Sequence, residues 1–146
     1  MTRSITLALL ALMPLAASAQ SAATCPTLPV DAGLHWEQLD GPGFLFCKAI
    51  AGDGAEAFAV TISRESPFKP RRVDRAEDAS IGGQSTHWYR SQLASEPSVI
   101  VRETLVELRE DQVAHVSLRA ASEQAKERAM QQVQALRFED VRLSSN

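Results

Sequence analysis

From residue 35 onward, apolar and polar positions alternate with a period of two through most of the chain, and shift to a helical period only near its end. Strict alternation over short runs predicts half-buried strands, because successive side chains on a strand leave opposite faces. Residues 35–39 form a short run that leads into Asp40-Gly41-Pro42-Gly43, where Gly and Pro fix a turn. Residues 44–51 follow, with Phe44, Phe46 and Ile50 on one face and Cys47 on the other. Gly52-Asp53-Gly54 then predicts a hairpin, since an Asp-Gly pair accepts positive φ at little cost. In residues 56–63, Phe58, Val60 and Ile62 fall on one side and the smaller Ala57, Ala59 and Thr61 on the other. That small-residue side is the expected seat for a helix or another closely packed segment.

Between residues 64 and 83 the alternation dissolves into charges, Pro67 and Pro70, ending in Gly82-Gly83. It predicts a long loop, and loops of this length in compact domains commonly carry function. Strand character returns at residues 86–93, with Trp88 opposite His87 and Tyr89, before the turn at Ser95-Glu96-Pro97-Ser98. Residues 99–109 and 112–121 make a final hairpin about Glu110-Asp111, with Ala114, Val116 and Leu118 alternating against His115, Ser117 and Arg119. Ser122 can cap a helix on which Ala125, Ala129, Val133 and Leu136 form an inward stripe. Lys126, Gln131, Gln132 and Gln134 are then expected outside, with Phe138 closing the packing. The fold class is therefore α+β, an antiparallel β-sheet packed against a C-terminal α-helix.

This order of elements resembles the PsbP-like superfamily of small α/β sandwiches. The residues carrying the resemblance are Gly82-Gly83 ahead of Trp88-Tyr89, the hairpin of residues 99–121, and the helix end Val133-Gln134-Ala135-Leu136-Arg137-Phe138. The resemblance implies a non-catalytic protein that acts by binding, and it carries no catalytic residues or substrate with it. The chain is shorter between Ser63 and Gly82 than the photosynthetic members, so their role in photosystem assembly does not transfer.

The N-terminus changes the picture of where the chain works. One cation at Arg3, an apolar stretch over residues 5–15 and the small-x-small site Ala17-Ser18-Ala19 read as an export signal over residues 1–19. Residues 20–34 read as an irregular arm, and residues 35–146 as a single α+β domain. The residues before Cys25, Ala22-Ala23-Thr24, place Thr where a lipoprotein signal favours a smaller side chain, so no lipid anchor is expected. The expected compartment is the periplasm or the exterior. In either, Cys25 and Cys47 most simply pair, tying the arm to a strand, and they lack the Cys-x-x-Cys spacing of a redox pair.

Composition is that of a globular chain, with 45% hydrophobic and 23% charged residues among 146. Without residues 1–19 there remain 14 Lys and Arg against 18 Asp and Glu. A mildly acidic balance argues against nucleic acid as a partner, since binding phosphates needs a basic surface.

The candidate chemistry is sparse. His35, His87 and His115 stand singly, without the spacing of a metal site, so no metal and no cofactor are expected. Gly-x-Ser-x-Gly is absent, the glycine pairs lack a phosphate loop's Lys, and the adjacent acids Glu77-Asp78 and Glu110-Asp111 read as solvated turns. Lys69, Arg71, Arg72 and Arg75 cluster on the expected loop and could steer an acidic partner. Tyr89 with His87 lies on the sheet face opposite Trp88, which a single helix would leave uncovered. The leading expectation is a binder of an envelope protein, such as an inhibitor or immunity-type partner, using these six residues. Two alternatives stand beside it: a small-molecule or lipid carrier with a cavity between sheet and helix near Ala57, Phe58 and Ala59, and a small hydrolase built on His87 or His115.

Overall fold

The computed structural model describes residues 22–108 and 111–143. The expected export signal and Glu110 of the expected turn lie outside the described residues. Seven strands form one antiparallel sheet: β1 (Leu34–Gly41), β2 (Phe44–Ala51), β3 (Glu56–Ser63), β4 (Arg75–Ile81), β5 (Gln84–Ser91), β6 (Ile100–Glu107) and β7 (Val113–Ala120). One helix, α1 (Glu123–Gln134), follows, its first turn capped by the Ser122 hydroxyl accepting from the Ala125 N–H at 3.2 Å. The α+β expectation holds, with antiparallel strands and a single C-terminal helix against them.

The strand order is β1-β2-β3-β7-β6-β5-β4. Two meanders therefore meet at the β3–β7 pair, and the chain must travel from the centre of the sheet to its far edge between β3 and β4. That journey crosses four inter-strand spacings, roughly 19 Å. Residues 64–74 can span about 36 Å when extended, so they cross the sheet with length to spare. This segment is the strap that shapes the candidate site.

Register fixes which side chains share a face. Cys47 pairs with Val60, Val60 with Val116, and Val116 with Thr104. Leu45, Phe58, Ile62, Ala114, Leu118 and Val106 alternate in phase with them, all essentially inaccessible to solvent. Ala129, Met130 and Val133 of α1 join them in one core, as do Cys25 and Ala23 of the arm. Of the two occupants expected on the Ala59 and Thr61 side of β3, a helix or another closely packed segment, the helix lies on the opposite face and the segment of residues 64–74 takes this one. Bulk was the better guide than smallness here, because covering a face with a helix gains most where that face presents the larger apolar area.

The Cys25–Cys47 disulfide is formed, with Cα atoms 6.0 Å apart and a sequence separation of 22. It fastens the arm on the helix side of the sheet, where Thr24 and Thr27 bridge to Arg142 and Arg137 of the C-terminal tail. The indole N–H of Trp36 donates to the Pro26 carbonyl at 2.7 Å and completes this seam. Among the described residues no helix is long and apolar enough to cross a membrane.

Two further expectations are corrected. The irregular stretch is shorter than residues 64–83, because residues 75–81 form β4 and Gly82-Gly83 is a two-residue hairpin turn into β5. Both glycines have positive φ, 58° and 77°, as a turn matching the strand twist requires. A Cβ on Gly82 would also stand 3.1 Å from the Phe138 ring. Lys126 lies inside, 7% exposed, not on the outer face of α1. Its ammonium donates to Glu77 at 3.1 Å and pairs with Glu123 at 2.6 Å, while Arg102 grips the same Glu77 carboxylate with contacts of 2.9–3.2 Å. Glu77 is accordingly no solvated turn: the two cations hold its carboxyl down at about 2, against the opposing effect of burial.

Candidate functional site: the strapped face of the sheet

The face of the sheet away from α1 is crossed by the strap, and one side chain pins it there. Phe68, between Pro67 and Pro70, lies flat on the His115 imidazole of β7, with centroids 5.1 Å apart and planes 6° apart. The same ring meets Tyr89 of β5 edge-on at 5.9 Å. Tyr89 in turn meets His87 edge-on at 6.4 Å. A chain of four rings thus runs across the strapped face. Ser66 is buried beside it and accepts the Phe68 N–H at 3.1 Å, holding the strap's local turn.

Each imidazole in this chain has its own carboxylate. His115 Nε2 lies 3.0 Å from Glu103 Oε1, a diagonal pair across β6 and β7. The His115 hydrogen bond is the main reason the Glu103 carboxyl is held below the usual carboxylate range, with burial acting the other way. His87 Nδ1 lies 2.8 Å from Asp78 Oδ1, directly opposite on β4. Glu77 and Asp78, adjacent on one strand, serve opposite faces: one anchors the helix, the other the strapped face. Among the described residues, neither imidazole hydrogen-bonds a hydroxyl or thiol, and no three His, Cys, Asp or Glu side chains gather as a metal site.

The six residues expected to bind a partner fall into two groups. Lys69, Arg71 and Arg72 are exposed along the strap, and Arg75 opens β4, pairing in register with Tyr89. Arg71 is tied to Asp74 at 2.6 Å across a single 3-10 turn of residues Arg72–Asp74. His87 is partly open, whereas Tyr89 is only 9% exposed beneath Phe68. The structure brings all six to one end of the strapped face, but as a cationic rim beside an aromatic floor.

Sequence reasoning missed Phe68, Val73, Asp78 and Glu103. Phe68 carried a readable signal, an aromatic locked between two prolines in an otherwise polar loop. Val73 stands 77% exposed on the 3-10 turn, an apolar side chain flanked by Arg72 and close in sequence to Arg75. The two carboxylates became visible only with the strand register. Comparison of the chain with protein-family models, with curated proteins and with solved structures finds no match.

Proposed function

We propose that this protein is an exported, periplasmic binder of another envelope protein, in the manner of an inhibitor or immunity partner, and that the strap on the sheet face away from α1 is its docking surface. The observation that carries the reading is the Phe68 stack on His115. It holds the strap against the sheet, so Lys69, Arg72 and Val73 are presented on a segment already ordered before any partner arrives. Pre-ordering lowers the conformational cost of association. An exposed valine beside Arg72, on a segment that also carries Lys69, suits a partner with an apolar pocket near acidic groups, where charge complementarity sets encounter rate and register. The disulfide supports an oxidising compartment. The resemblance to PsbP-like proteins, which implies action by binding, points the same way.

The test is site-specific photo-crosslinking in envelope extract. A crosslinker at Val73 should yield one discrete protein adduct, and the triple change Lys69→Glu, Arg72→Glu and Arg75→Glu should remove it. A crosslinker at Glu127, exposed on α1, is the control. Equal adducts from both positions, or none from Val73, would refute the proposal.

A further inference from the structure

A cleft remote from the strap carries chemistry of its own. It opens between α1 and the β2–β3 hairpin, with a volume of about 510 Å³, within the range of small-molecule sites. It exists because its walls are short: Ala57 of β3 faces Ala125 and Ala129 of α1, and methyl groups do not fill the space between the elements. A cavity is expected between sheet and helix, and of the three residues named for it only Ala57 lines this cleft. Phe58 is sealed in the core and Ala59 lies on the strapped face, leaving Ala57 alone at the cleft.

The rim is polar and carries charge of both signs. Arg119 from the end of β7 and Arg128 from α1 both line the cleft, with Gln132 one helical turn beyond Arg128. Neither arginine lies within ion-pair distance of a carboxylate among the described residues, although the Arg119 charge acts at longer range on Glu103, whereas Arg102 and Lys126 are both directly paired. The two acidic side chains at the mouth are engaged: Asp53 accepts the Ala55 N–H at 3.0 Å and Glu56 lies 4.0 Å from Lys48. Two guanidinium forks beside an alanine-lined floor match one ligand chemistry, a carboxylate carried on a short aliphatic body.

We infer that the cleft between α1 and the β2–β3 hairpin binds a small aliphatic carboxylate, with Arg119 and Arg128 holding the anion and Ala57, Ala125 and Ala129 seating the chain. The site is independent of the strap, so its failure and that of the proposed docking surface are separate results. The probe is hexanoate titrated into the full folded domain, followed by amide chemical shifts. Saturable shifts should be confined to residues such as Gly33, Ala57 and Arg128. Arg119→Gln with Arg128→Gln should weaken binding at least tenfold, and hexanol should fail to saturate. Ala125→Leu, at a half-buried position, should block the cleft while leaving the spectrum folded. Inorganic phosphate binding as well as hexanoate would overturn the aliphatic seat. Absence of saturation, or binding undiminished in the double glutamine variant, would overturn the site.

Discussion

Replacing Glu77 by Gln probes how the helix is locked to the sheet. Glu77 accepts from Arg102 and from Lys126, whose side chains are almost sealed from water, so the substitution takes the anion from Arg102 and leaves Lys126 with Glu123 alone. Its carboxyl is held at about 2 against an ordinary 4.5. At about 1.4 kcal/mol per pH unit that shift has a ceiling of roughly 3 kcal/mol. Glu77 itself remains one-third exposed, and solvent screening brings the expectation to about 1–2 kcal/mol. The sign follows from the depression: the stabilisation is complete above pH 4.5, where the unfolded group is ionised too, and is lost as pH falls from 4.5 through about 2. Urea unfolding at pH 7 should find E77Q less stable by that amount. At pH 2 the gap between the two proteins should narrow sharply. An E77Q variant that loses nothing at pH 7, or whose stability falls with acid as steeply as the parent's, would refute the network as a lock.

Further outcomes follow from other contacts. Reduction of Cys25–Cys47 should cost about 3 kcal/mol by releasing a 22-residue loop and should red-shift Trp36 emission as the Pro26 hydrogen bond loosens; unchanged emission would place the arm's hold elsewhere. Phe68→Ala should lower stability by about 1–3 kcal/mol and remove the ring-current shift on the His115 carbon-bound protons. An unshifted His115 in the parent protein would mean the strap is not seated. Ser122→Ala should cost about 1 kcal/mol in thermal or urea unfolding, from loss of the helix cap, and no measurable loss would contradict the cap's role.

The strands and the helix were legible because each carries its period in local residues: the Phe58, Val60, Ile62 alternation and the Ser122 cap need no partner to be read. Residues 75–81 escaped because β4 is an edge strand that faces the helix with Ala79, Ile81 and a charge, Glu77, rather than with an apolar run. Burial of Lys126 escaped for a related reason. A lysine at a helix position looks outward unless an anion awaits it, and Glu77 lies 49 residues away in sequence. The strap's path was a topological fact, forced by β4 occupying the far edge. Its cations could be read as a cluster, but not that Phe68 would fix them over His115. The pairing of His87 with Asp78 and of His115 with Glu103 likewise depends on register, which no single segment encodes.

The proposed docking surface is a strap fixed in place by Phe68, with Lys69 and Arg72 on it and Arg75 at the start of β4. Its most direct test is the dissociation constant of the protein captured at Val73, measured for the parent chain, for F68A and for the Lys69, Arg72, Arg75 charge reversal. The account expects both variants to bind at least tenfold more weakly, F68A because the segment must be ordered on binding and the reversal because the charges clash. Parent-like affinity in both would show that the partner docks elsewhere on the molecule.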